Sequence, residues 1–183
     1  MKLFNKNKVT VKESEKSIEY IDSRIIKNYH RANYFNEGKI FFTLFNKEIN
    51  INVDFDVSLE YAEKCVECLN SLNDNIIEQL CKESIKYCED FRELFEENKI
   101  VIPENIDGRK ILEYIIPNTL IVNNPKDDKI GFHLECDCVW EIEHGLEWTI
   151  KDDKILYVGQ FGNYDAWYNE DFLKTYPYNY INN

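Results

Sequence analysis

The residues of this chain that could do chemistry are histidines, cysteines and carboxylates at close spacing, and most of them fall between 133 and 161, HLECDCVWEIEHGLEWTIKDDKILYVGQF. Glu141, Glu143 and His144 meet at one corner of it. A histidine beside carboxylates titrates near neutrality, so these three are candidates for an acid–base group. No G-x-S-x-G nucleophile and no phosphate-cradling glycine loop accompanies them. The competing account is a strand corner, in which Gly145 supplies a positive φ and His144 hydrogen-bonds locally. The corner account is preferred, and no catalytic residue is assigned.

Cys65-x-x-Cys68 has the look of half a zinc site, and Cys136-x-Cys138 with His133 or His144 would be the other half. The alternation around Cys136 argues against it. Cys136 and Cys138 share a face with apolar residues, whereas His133 points the opposite way. Side chains on opposite faces of one strand do not converge on one ion. Cys65 and Cys68 sit beside Leu69 and Leu72 at helical spacing, where small apolar residues belong. With Cys81 and Cys88, they read as buried free thiols. Asn52-x-Asp54-x-Asp56, followed by Glu60 and Glu63, mimics the ligands of a calcium loop. That loop needs a glycine at its sixth position, and Val57 stands there. No metal and no cofactor is expected.

Glu135, Asp137 and Glu141 line up at period two, with His133 on the same side. This row is the candidate partner-binding face. The charge of the whole chain supports it. Residues 1–47 carry ten Lys/Arg and five Asp/Glu, net +5, whereas residues 48–183 carry twelve and twenty-nine, net −17. So acidic a body repels phosphate backbones, which argues against nucleic acid. It attracts a basic protein and speeds the encounter.

The elements that position these residues follow from periodicity. Ile18, Ile21, Ile25 and Tyr29 have helical spacing after a short strand at Val9 and Val11. Ile40 to Phe45 and Ile49 to Phe55 form a hairpin joined at Asn46-Lys47, the second strand alternating apolar with Asn and Asp. Residues 58–72 and 75–97 are two helices split by Asn73-Asp74-Asn75, with Asn75 and Glu78 spaced as a capping box. A shorter helix covers 107–116 and ends before Pro117. Asn118 to Val122 is a strand. Ile130 to Ile142 alternates strictly, placing Phe132, Leu134, Cys136, Cys138, Trp140 and Ile142 inward. Turns at 143–145 and 152–153 then bound two more strands, Leu146 to Ile150 and Lys154 to Phe161. The order of strands, helices, strands is α+β: an antiparallel sheet of about six strands with a helical pair and a short third helix on one face. The length suits one globular domain over 1–183, with a basic segment at 1–37 and a Tyr/Asn-rich tail at 163–183. No apolar run reaches the ~20 residues of a membrane span. The N-terminal residues lack the apolar stretch and cleavage site of a secretory signal, so the expected compartment is the cytoplasm.

The run from Cys138 to Gly159 resembles the signature of an uncharacterised bacterial domain family: C-x-W-E, then E-H-G-L-E-W, then L-Y-V-G. The matching residues include Trp140, Glu141, Glu143 to Trp148, and Leu156 to Gly159. The similarity extends over residues 38–168. It implies no activity, and only a loose association with bacterial toxin–immunity neighbourhoods. Taken together, the sequence points to a non-enzymatic binding domain, in its most concrete form an immunity-type protein that masks a basic toxin. The alternatives are an enzyme using His144 with Glu141 or Glu143, and a structural accessory domain.

Overall fold

The computed structural model describes residues 18–92 and 106–182. Its frame is one seven-stranded sheet whose spatial order follows the chain: β1 (Lys27–Arg31), β2 (Asn36–Phe42), β3 (Lys47–Val53), β4 (Ile115–Val122), β5 (Gly131–Cys138), β6 (Leu146–Lys151) and β7 (Lys154–Gly159). The expected hairpin is β2–β3, with Ile40 opposite Ile49. Every pair is antiparallel except β3–β4, where Asn50 to Val53 run parallel to Thr119 to Val122. The sheet is therefore mixed rather than antiparallel throughout. The cause lies between the two strands. A parallel return needs a long crossover, and the two helices supply it.

Those helices are α1 (Leu59–Asn70) and α2 (Asp74–Asp90). Ser58 and Asn73 cap them, each side chain accepting the amide hydrogen three residues on, from Tyr61 and Ile76. The cap of α2 is thus Asn73, two residues before the expected Asn75. Residues 93–97, the expected end of α2, lie outside the described residues, as do Val9 and Val11. Ala62, Cys65, Val66 and Leu69 of α1 join Ile77, Leu80, Cys81 and Cys88 of α2 in the core. They cover one face of the sheet, formed by Ile51, Val53, Leu120, Phe132, Leu134, Trp148 and Val158 among others.

Two expected helices are absent among the described residues. Ile18 and Ile21 are exposed, and the chain beyond them forms edge strand β1. Asn28, in the left-handed region at φ 53°, is incompatible with a helix there and opens a bulge in the β1–β2 ladder. Gly38 lets that bulge sit close, since a Cβ on it would lie 2.6 Å from Ile26 Cγ2. Residues 108–114 make a 3₁₀ turn instead of an α-helix, and β4 starts directly at Ile115. Pro117 lies inside β4, at a shift of register where its missing N–H is tolerated.

Among the described residues, the cover on the second face of the sheet is uneven, and Thr119 and Ile121 of β4 are buried there. After β7 the chain folds back over β6 and β7, and includes a short helix α3 (Glu170–Thr175). Lys126 also reaches across to the Trp167 carbonyl. Beneath this cover Glu147, Thr149 and Tyr157 are buried. Toward β3, Asn50, Glu135 and Asp137 remain at least partly open. Asn179 holds the cover to the outer edge of the sheet. Its amide oxygen accepts from Val158 N, and its nitrogen donates to the carbonyls of Leu156 and Leu173. One side chain thus mimics a rung of the ladder that edge strand β7 would otherwise leave open.

Candidate functional site

The alternation along β5 holds on its core side. Phe132, Leu134, Cys136 and Cys138 are buried, and so is Trp140 just past the strand, edge-on to Tyr87 with centroids 5.9 Å apart. It fails at Ile142, which was expected inward and is 83% exposed. The strand ends at Cys138, and a period of two says nothing about residues beyond a strand end.

On the other side of β5 the four expected docking residues separate. Glu135 is half-buried and Asp137 exposed. His133, expected outward, is 0% exposed. Glu141, also expected outward, has left the strand. Its carboxylate, 11% exposed, turns back to accept the amides of Glu143 and His144 at 2.9 and 3.3 Å.

His133 is sealed in by a carboxylate that its strand periodicity does not single out. Glu147 of β6 is fully buried. Its Oε2 accepts the backbone amides of Gly162 and Asn163, each at 2.8 Å, and its Oε1 accepts the amide of Tyr164 at 2.7 Å. Three successive amides on one carboxylate form an anion nest, and Asn163, at φ 57°, gives the chain the bend it requires. His133 Nδ1 donates to the same Oε1 at 3.1 Å, and the Phe161 ring lies parallel to the imidazole. The Thr149 hydroxyl donates to the Tyr164 carbonyl at 2.7 Å, and its oxygen lies 3.2 Å from Oε1. His133 Nε2 is buried and has no hydrogen-bond partner. The dyad has the orientation of a histidine base held by a carboxylate, but no solvent-exposed atom belongs to it. What it does in this structure is fasten the C-terminal segment to the sheet. The alternation L-E-W-T-I did mark Glu147 as opposite in face to Trp148. Only the fold-back of residues 160–164, which no local period announces, shows that this face is buried.

The corner motif is also self-contained. His144 Nδ1 lies 3.2 Å from Glu141 Oε2, the Gly145 amide donates to the Glu141 carbonyl, and the Gly145 carbonyl accepts from Tyr87 Oη. Gly145 takes φ 66°, and a Cβ there would lie 2.4 Å from the Cys136 carbonyl oxygen. Glu143 is exposed, and its amide donates to Glu141.

Charge distinguishes Glu135 and Asp137. Burial raises the Glu135 pKa above the ordinary carboxylate value. The Thr119 hydroxyl opposes this, Asp137 adds to it, His133 opposes it, and Glu147 raises it further. No ion pair among the described residues involves Glu135 or Asp137, whereas Glu48 on β3 is flanked by Lys27 and Lys39. The cysteines are all free. Desolvation pushes the Cys81 thiol up to about 11 and those of Cys65, Cys88 and Cys138 up to about 12. Among the described residues no three His, Cys, Asp or Glu side chains are grouped to hold a metal. Asp54 instead accepts the Asn124 amide, and Glu63 holds Ser23 and Arg24. An open hollow of about 450 Å³ lies between α1 and the end of β2, lined by Ile25, Phe41 and Val66 among others. None of the candidate residues reaches it. No helix among the described residues is long and apolar enough to cross a membrane.

Fold and site together define an α+β domain with a mixed sheet, the two long helices on one face, and a second face clasped by a buried carboxylate. The chain belongs to the family of the domain of unknown function DUF6985, whose model matches residues 14–164. The match takes in residues 14–37, which the motif resemblance left out, and it ends at Tyr164, the last residue whose amide Glu147 holds. No curated protein and no solved structure matches the chain.

Proposed function

We propose that the chain is a non-enzymatic protein-binding domain that captures a basic partner, in its most concrete form an immunity-type protein masking a basic toxin. The observation that carries this reading is the partly open acidic pair on the second sheet face. There Glu135 and Asp137 stand two residues apart on β5 with no cationic partner among the described residues. Glu135 is half-buried with acidic neighbours, so its ionised form is under-compensated. A lysine or arginine brought by a partner relieves both. The wider charge, net −12, adds long-range attraction for such a partner. The enzymatic alternative at His144 has less support, because Glu141 and the turn amides already engage one another.

The test begins with a partner recovered by pull-down from the native cell, identified and purified. Its affinity is then measured for the wild-type chain and for Glu135→Lys/Asp137→Lys at two salt concentrations. The expected result is a loss of about tenfold or more in affinity on reversal, with a flatter salt dependence. Unchanged affinity and salt dependence would show that this face is not the docking site. Metabolite turnover by the pure protein, abolished by His144→Ala, would replace this reading with the enzymatic one.

A further inference from the structure

The segment after β7 carries a row of rings. Centroids of Tyr164 and Tyr168 are 5.1 Å apart, those of Tyr168 and Phe172 5.6 Å, those of Phe172 and Tyr176 5.1 Å, and those of Tyr176 and Tyr178 5.7 Å. The row is partly open to solvent: Tyr168 and Phe172 are each 40% exposed and Tyr178 56%. Single exposed apolar side chains need no explanation, but a contiguous run of them marks a contact surface. Tyrosine and other aromatics are the side chains that anchor such surfaces. This row is also held in place. Glu147 takes the amides that lead into it, Asn169 caps α3 through the amides of Asp171 and Phe172, and Asn179 ties its far end to β7. A platform fixed in this way has little freedom to lose when a partner lands on it.

The molecule shows what its aromatic faces accept. The Arg31 guanidinium lies 4.4 Å over the Phe55 ring. The Lys151 ammonium lies 5.4 Å over the Trp167 ring while it pairs with Glu170. Ring and carboxylate thus already share one cation beside the row. Glu135 sits directly opposite Glu147 in the sheet, so the open acid pair adjoins the strand that anchors the row. A group that stacks flat on a ring and also donates several hydrogen bonds to carboxylates fits this combination. Guanidinium does both, whereas an ammonium is a compact, strongly hydrated point charge.

We propose that Tyr168, Phe172, Tyr176 and Tyr178 form the anchoring half of a docking surface whose occupant is an arginine-rich protein segment, with Glu135 and Asp137 as its charge partners. This rests on the basic-partner reading above and names the side chain recognised. The rings lie beyond residue 164, where the family match ends.

The experiment titrates the full chain with an oligoarginine and an oligolysine peptide of equal length, at low and physiological salt. Oligoarginine is expected to bind about fivefold to tenfold more tightly, and ring-proton signals of the row should shift as it does. Tyr168→Ser/Phe172→Ser/Tyr178→Ser should abolish the preference and leave a weak, salt-dependent affinity for both peptides. Glu135→Lys/Asp137→Lys should weaken both peptides alike and keep the preference. The ring signals of the unmodified chain provide a readout that does not depend on any variant folding. Equal affinity for the two peptides, or ring signals that stay fixed during binding, overturns the ring proposal while leaving the acidic reading in place. No binding of either peptide overturns both.

Discussion

A carboxylate removed from water costs several kcal/mol unless its lone pairs are engaged, and removing one partner of such a group costs more than the group contributes when paired. Glu147 is the residue where this matters most. Glu147→Gln keeps the shape but turns an NH₂ toward amides that also donate. We expect a loss of about 2–4 kcal/mol in urea unfolding, together with faster hydrogen exchange at residues 162–164. Slow exchange at those amides in the variant would show that the clasp does not hold the segment. Glu135 should behave in the opposite sense. Folding raises its pKa, so the native state binds this proton more tightly than the unfolded chain does. Its contribution to stability is therefore fully present below the ordinary carboxylate pKa and is lost as pH rises through the raised value. Glu135→Gln should raise Tm by about 1–3 °C at neutral pH and make no difference in acid, where both side chains are neutral. A Tm gain that persists in acid would assign it to something other than charge.

At the scale of elements, the steadiest expectations are those in which local pattern and long-range packing agree. Trp140 follows the inward set of β5 and is buried against Tyr87. Trp140→Ala should cost about 3–5 kcal/mol in equilibrium unfolding, and an unchanged midpoint would mean the ring is not part of the core. Gly145→Ala should cost about 1–3 kcal/mol, because the turn needs φ 66° and leaves no room for a Cβ against Cys136. The β2–β3 hairpin, the two long helices and the inward face of β5 were legible because each repeats its period several times within one segment. What was not legible depends on contacts between segments. The sheet is parallel at β3–β4 because both helices fall in that one connection. Ile18, Ile21, Ile25 and Tyr29 have helical spacing, yet residues 27–31 pair with β2 and the chain before them is not helical, since edge pairing and the left-handed Asn28 outweigh periodicity. His133 and Glu147 alternate as outward residues should. They are buried because a tail that reads as irregular Tyr and Asn returns over them.

For the molecule as a whole, charge and rings should act on different steps of binding. The acids act at a distance. Residues 48–183 carry net −17, and attraction of that kind governs how often a basic partner arrives in a productive orientation. In the proposed docking surface the rings act only on contact, so they set how long the partner stays. Association and dissociation rates, measured separately for oligoarginine by stopped-flow or surface-bound kinetics, should therefore divide by variant. Glu135→Lys/Asp137→Lys should lower the association rate about tenfold and weaken its salt dependence, with a smaller effect on dissociation. The serine variant of Tyr168, Phe172 and Tyr178 should keep wild-type association and dissociate about fivefold to tenfold faster. Raising salt from low to physiological should slow wild-type association and leave ring-dependent dissociation nearly unchanged, because stacking at contact distance is screened much less than attraction beyond a Debye length of about 10 Å. If both variants alter the same rate, the two halves are not separate contributors and the division of labour is wrong. If the serine variant changes neither rate, the exposed row serves the packing of the C-terminal segment, and the sheet acids carry recognition alone.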